Sequence, residues 1–255
     1  AGSISADQAA SLNSTAISVS NAADTIGASV LSNLYIAPGA DPGHFAQGAS
    51  ASGLDTSQAL DASGTWSAIF CHALGDDAKA AECLKFVHQK FYLENQQILP
   101  SASASTYNQA YQQLDAFSGF KPYSDSPGGY NGSPASVWQE GTWGMITALL
   151  RTYGVPAVSS YFASTEGGLD AFLTRLIEGQ RVIQSTTGDG SLINYSLAVR
   201  MLPYEFTIWP GLSSTAWSWI TAMNSGILLT TDTDTQSLPY LLVPRGQNQT
   251  VNELD

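Results

Sequence analysis

The sequence predicts a mainly α-helical protein made of helical hairpins arranged in a ring, with buried helices inside and amphipathic ones outside. Three observations lead there. Apolar residues recur at helical spacing in one segment after another. Apolar segments (61–74, 136–153, 212–225) alternate with more polar ones (77–93, 166–183). Each apolar segment also follows a loop rich in Gly, Pro and Tyr, and the period is too irregular for a solenoid array.

Within residues 4–34, the positions Ile4, Ala9, Leu12, Ala16, Val19, Ala23, Ile26, Val30 and Leu34 predict one or two helices. Residues 35–60, rich in Gly, Pro, Ala and Ser, read as a long irregular connection. The next helix, 61–74, carries the stripe Trp66, Ile69, Phe70, Ala73 and Leu74, with Asp61 or Ser63 as its cap. Gly75-Asp76-Asp77 stops it and starts a helix over 77–93. A weaker helix is expected over 105–117, then a long loop over 118–135, a length that often carries function. Residues 136–153 form the clearest helix, with Met145, Ile146, Leu149 and Leu150 on one side. One short and one longer helix fill 155–183. Gly188-Asp189-Gly190 is a turn, 191–210 is mixed and partly extended, and 212–225 is helical around Trp217, Ile220 and Ala222.

The chain has 255 residues, read as one domain over 1–230 and a polar C-terminal tail over 231–255. Charged residues make up only 12%, about half the usual share. Ser, Thr, Asn, Gln and Gly must therefore cover the surface, a composition common in secreted proteins. Ala1 opens a polar segment, as in a mature form whose leader has been removed. A net charge of −12 with nine Lys plus Arg argues against nucleic acid as a partner. No apolar run reaches the roughly 18–20 residues that would cross a membrane. The two cysteines, Cys71 and Cys83, flank the turn at 75–77 and are expected to form a disulfide across the hairpin, the alternative being two buried thiols.

Two segments carry the candidate chemistry: Val137-Trp138-Gln139-Glu140-Gly141-Thr142-Trp143 and Leu202-Pro203-Tyr204-Glu205-Phe206-Thr207-Ile208-Trp209-Pro210. Each sets one carboxylate among aromatic rings just ahead of an apolar helical stretch. Carboxylates are costly beside apolar surface unless something uses or pairs them. A sugar-cleaving cleft needs flat rings for the sugar faces and two carboxyls for the bond. Glu140 and Glu205 are therefore the expected catalytic pair, against the blander readings of a first-turn acid favourable to the helix dipole and an acid bonding loop amides. Asp61 and Asp125 are candidate ligands for substrate hydroxyls, the alternatives being a helix cap and a turn former. Trp66, Tyr123, Tyr130, Trp138, Trp143, Tyr204 and Trp209 are candidates for stacking on sugars, each also a candidate for the core, whereas Trp217 and Trp219 are assigned to the core. His44, His72 and His88 are scattered without zinc spacing, and neither Gly-x-Ser-x-Gly nor Gly-x-Gly-x-x-Gly occurs, so no metal or cofactor is expected.

The phrases Leu60-Asp61-Ala62-Ser63-Gly64-Thr65-Trp66, Gly119-Phe120-Lys121-Pro122-Tyr123-Ser124-Asp125, Trp138-Gln139-Glu140-Gly141-Thr142 and Pro203-Tyr204-Glu205-Phe206 resemble the secreted α/α-toroid carbohydrate-active enzymes, the glucoamylase-like and related polysaccharide-cleaving families. The resemblance is one of pattern over about residues 54–228. It implies a short or partial α/α toroid and a glycosidase acting on an oligo- or polysaccharide. The rivals are a polysaccharide lyase on the same scaffold, which the scarcity of cations disfavours, a non-catalytic sugar-binding or structural domain, and a subunit whose helices pair with another chain.

Overall fold

The computed structural model describes residues 5–96, 117–124, 137–186, 200–202, 204–206 and 211–223. Helix accounts for 68% of the interpretable residues, in seven helices, so the mainly helical class holds. The expectations for 105–116, 125–135, 188–190 and the tail lie outside the described residues.

Helix α1 (Ala6–Leu34) is continuous and starts at a capping box in which Ser5 and Gln8 bond each other's backbone. The connection expected to be irregular contains two small antiparallel hairpins, β1 (Tyr35–Ile36) with β2 (His44–Phe45) and β3 (Gly48–Ser50) with β4 (Gly53–Asp55). A π-helical turn over Asp61–Thr65 leads into α2 (Trp66–Ala73). Gly75, at φ 77°, then ends α2 in a Schellman motif, its N–H on the His72 carbonyl and that of Asp76 on the Cys71 carbonyl. The Asp76 side chain accepts from the Lys79 N–H to cap α3 (Asp77–Phe91). The chain leaves α3 as β5 (Tyr92–Gln96), antiparallel to β6 (Phe117–Phe120). Helices α4 (Gln139–Arg151), α5 (Pro156–Thr165) and α6 (Leu169–Thr186) follow. A hairpin of β7 (Arg200–Leu202) and β8 (Tyr204–Phe206) comes before α7 (Leu212–Met223).

Helix α4 lies at the centre of the core, against α2, α6 and α7, with α3 packed behind α2 and α5 between α3 and α6. Every residue of α4 is buried except Glu140. The hydroxyls of Thr147 and Thr221 meet at 2.7 Å in the buried seam between α4 and α7. Beyond α4, Phe162 stacks on Phe172 with ring centroids 4.9 Å apart, and His88 sits edge-on to both.

The expected disulfide is not formed: Cys71 and Cys83 are buried free thiols. The neighbouring Cys71 thiol, and then burial, push the Cys83 thiol well up, which keeps it protonated. No helix among the described residues is long and apolar enough to cross a membrane.

Candidate functional site

Two glycines allow the elements of the site to close on one another. A Cβ on Gly64, inside the π turn, would lie 1.8 Å from Val87 Cγ2, so only glycine lets this turn sit against α3. A Cβ on Gly141, in the first turn of α4, would lie 2.4 Å from both Leu60 Cδ2 and Trp138 Cε3. Leu60 is fully buried, and its N–H bonds the Pro122 carbonyl at 2.9 Å. Trp138 N–H bonds the Phe120 carbonyl at 2.8 Å, and Thr142 Oγ1 accepts from Phe120 N–H at 3.1 Å. The end of β6 thus fixes the start of α4, the segment just after it fixes Leu60, and Asp61 follows Leu60 directly.

Asp61 was expected to cap a helix or to bind substrate. It caps nothing: the residue before the turn makes no side-chain cap, and the Trp66 N–H reaches back five residues to the Asp61 carbonyl. Instead the Asp61 side chain accepts from Thr65 Oγ1 at 3.3 Å. Its Oδ1 faces Gly144, where a Cβ would stand 3.8 Å away. Glu140 lies one turn before Gly144 on the same face of α4. The two acids are therefore neighbours, and they interact. Burial first and the Glu140 charge second raise Asp61 from 3.8 to about 7, against the Thr65 bond.

Glu140 is half-buried, and burial also raises its pKa. Ser213 and Trp217 oppose the rise by donating hydrogen bonds to its carboxylate. They lie four residues apart on α7, hence on one face. The indole of Trp217 also stacks on Trp66, with ring centroids 6.2 Å apart and planes 20° from parallel. Trp66 is 44% exposed. Asp61, Trp66, Glu140 and Ser213 lie at or just before the N-terminal ends of α2, α4 and α7, with Trp217 one turn further along α7, so these three ends converge on one acidic, ring-walled patch.

Other expected site residues fall elsewhere. Trp138 and Trp143 are 9% and 4% exposed and pack in the core cluster, which removes them from any sugar-stacking surface. Their position beside a helix start places them against Leu60 and the neighbouring helices, and apolar burial outweighs display. Tyr123 is half-buried and bridges Ala59, two residues before Asp61, so it adjoins the site. Tyr204 and Glu205 lie in β8, with side chains outside the described residues. Asp125, Tyr130 and Trp209 are also outside them. The sequence reading missed Ser213 and assigned Trp217 to the core. Their spacing of four on a short apolar helix was the available signal.

No family model matches this chain, and neither the curated proteins nor the solved structures contain a match to it.

Proposed function

We propose that this protein is a secreted carbohydrate-active enzyme that hydrolyses glycosidic bonds, with Asp61 as general acid and Glu140 as its ionised partner. The observation that carries the reading is the unequal pair. Burial raises both carboxyls, Asp61 to about 7 under the added charge of Glu140, while hydrogen bonds from Ser213 and Trp217 offset part of the rise at Glu140. Two neighbouring acids with unequal surroundings can divide the roles of acid and base, the one that keeps its proton longer serving as the acid. Asp61 protonates the leaving glycosidic oxygen. Glu140 either directs water onto the anomeric carbon or attacks it, depending on the gap that opens between the two groups. The exposed Trp66 face, backed by Trp217, supplies the flat apolar wall for a sugar ring.

Two acids in a chain of net charge −12 favour a neutral glycan over a uronate. The row α2, α4, α7 with α3 behind α2 supports an arc of an α/α toroid, in which inner helices begin at one end of the ring. The charge-poor composition supports secretion.

The test is a screen of neutral glycans with product reducing ends read by mass spectrometry, run on the wild type and on Asp61→Asn, Glu140→Gln and Glu205→Gln. The first two variants are expected to lose about 10²–10⁴-fold in turnover. Wild-type activity should fall as pH rises past about 7, when Asp61 loses its proton. Unchanged turnover in both Asp61→Asn and Glu140→Gln refutes the assignment. Loss in Glu140→Gln and Glu205→Gln with an active Asp61→Asn moves the pair to Glu140 and Glu205.

A further inference from the structure

Helices α4 and α7 meet through two polar contacts. Near their N-terminal ends Glu140 accepts from Ser213 and Trp217, and further along Thr147 meets Thr221. Both threonines are buried, and their hydroxyl oxygens stand 2.7 Å apart. Thr147 follows Glu140 by about two helical turns, and Thr221 follows Ser213 by about two and Trp217 by about one. The contacts come in the same order along both helices, so α4 and α7 run parallel and share one seam.

The protons are too few for every contact. Each hydroxyl also reaches a carbonyl of its own helix, Thr147 that of Trp143 at 2.9 Å and Thr221 that of Trp217 at 2.7 Å. A hydroxyl carries one proton. Whichever threonine donates across the seam therefore gives up its own carbonyl. A helical threonine satisfies itself by bonding the carbonyl four residues back. Neither hydroxyl needs the other for that, so their meeting belongs to the way the two helices dock.

Apolar burial sets the position of α7 only loosely. Leu212 is 85% exposed and Trp219 61%, so the helix turns part of its apolar surface away from α4. The hydrophobic effect has no direction, whereas the hydroxyl pair forms in one register. Sliding α7 by one turn, about 5.4 Å, breaks the pair and carries Ser213 and Trp217 off Glu140. Trp217 would also leave its stack on Trp66.

We infer that Thr147 and Thr221 are positioning residues, whose hydrogen bond sets the register of α7 on α4 and so holds the Ser213 and Trp217 donors against Glu140. This rests on the reading of Glu140 as one of the reacting pair, and it assigns neither threonine a contact with substrate.

NMR of the indole N–H groups tests it without any substrate. In the wild type the Trp217 signal, identified by its loss in Trp217→Phe, should titrate with Glu140 and stop titrating in Glu140→Gln. In the double variant Thr147→Val with Thr221→Val the midpoint of that titration should rise by about one pH unit, because the carboxylate loses donors that favour its charged form. Its thermal transition should change little, since replacing both partners by apolar groups of the same shape is close to neutral. Thr147→Ser with Thr221→Ser keeps both hydroxyls and should keep the wild-type midpoint. In an enzyme that needs Glu140 ionised, the acid limb of the activity profile should rise with the midpoint. A folded double valine variant with the wild-type midpoint overturns the inference, and so does a double serine variant that shifts as far as the valine one. If the double valine variant does not fold, Thr221→Val alone is read in the same way, because Thr147 then bonds the Trp143 carbonyl. A wild type that cleaves no glycan refutes the proposed function instead and leaves the titration result standing.

Discussion

Glu166 and Glu140 are both acids drawn largely out of water, and the molecule treats them in opposite ways. Glu166 is 13% exposed and holds two basic partners: Arg175 through an ion pair, and His88 Nε2 at 2.9 Å. His88 Nδ1 lies 2.9 Å from the Tyr161 hydroxyl, within hydrogen-bond distance. Helices α3, α5 and α6 are thereby joined by a cluster in which Glu166 meets the Arg175 charge and the His88 ring. Glu140 has only neutral donors, and its charged neighbour is another acid. Burying paired charges can fix a structure, whereas burying like charges side by side costs stability and is retained where chemistry uses it.

The two regions should therefore respond to pH with opposite signs. Asp61 is raised from 3.8 to about 7 in the folded protein, so its stabilisation is complete below about 3.8 and is lost as pH rises to about 7. His88 is lowered from 6.5, mainly by burial, so its contribution is present above about 6.5 and is lost as the solution becomes more acidic.

The largest effect that sharpens this contrast comes from Asp61→Asn. Turnover should fall about 10²–10⁴-fold. Stability at pH 8 should rise, by up to about 4 kcal/mol, because the cost of ionising a buried acid disappears. Denaturant midpoints at pH 5 and pH 8 read both signs. A variant less stable than wild type at pH 8 breaks the comparison.

Next is the paired region. Arg175→Met leaves Glu166 with a neutral imidazole alone, at a cost of about 1–3 kcal/mol. Arg175 also lowers the His88 pKa, so removing it should raise that pKa, visible by NMR titration of the ring. The site on α4 should keep its pH profile. A shift in the activity profile with Arg175→Met would join the two regions into one network.

Gly141→Ala should cost about 1–3 kcal/mol, since its methyl would overlap Leu60 and Trp138, both buried. Activity should fall with it, because Leu60 carries Asp61.

Helix periodicity was legible in the sequence, since each helix face is set by residues close together in the chain. The helices at 156–165, 169–186 and 212–223 fall where the spacing predicted. Glu140 stood out too, as an acid among aromatic rings at the head of an apolar stretch. Its partner did not. The approach of Asp61 to the Glu140 charge depends on Gly64 and Gly141 permitting close packing between segments about 80 residues apart, and on a π turn in which Asp61 makes no cap. Neither has a local periodic signal. The burial of Trp138 was hidden for the same reason, because an aromatic displayed on a surface and one filling the core look alike along the chain.

The smallest effect offers the finest test of where Asp61 points. Gly144 is in mid-helix, and a Cβ there would meet only Asp61 Oδ1, at an ordinary 3.8 Å. Gly144→Ala should therefore fold, and gain roughly 0.5–1 kcal/mol from helix propensity. The added methyl also sets apolar surface against the Asp61 carboxyl, which favours the neutral form. The alkaline limb of the activity profile should then move up by a few tenths of a pH unit, with turnover at pH 5 little changed. The same substitution leaving that limb in place, while stability rises, would mean that the Asp61 carboxyl does not lie over this face of α4.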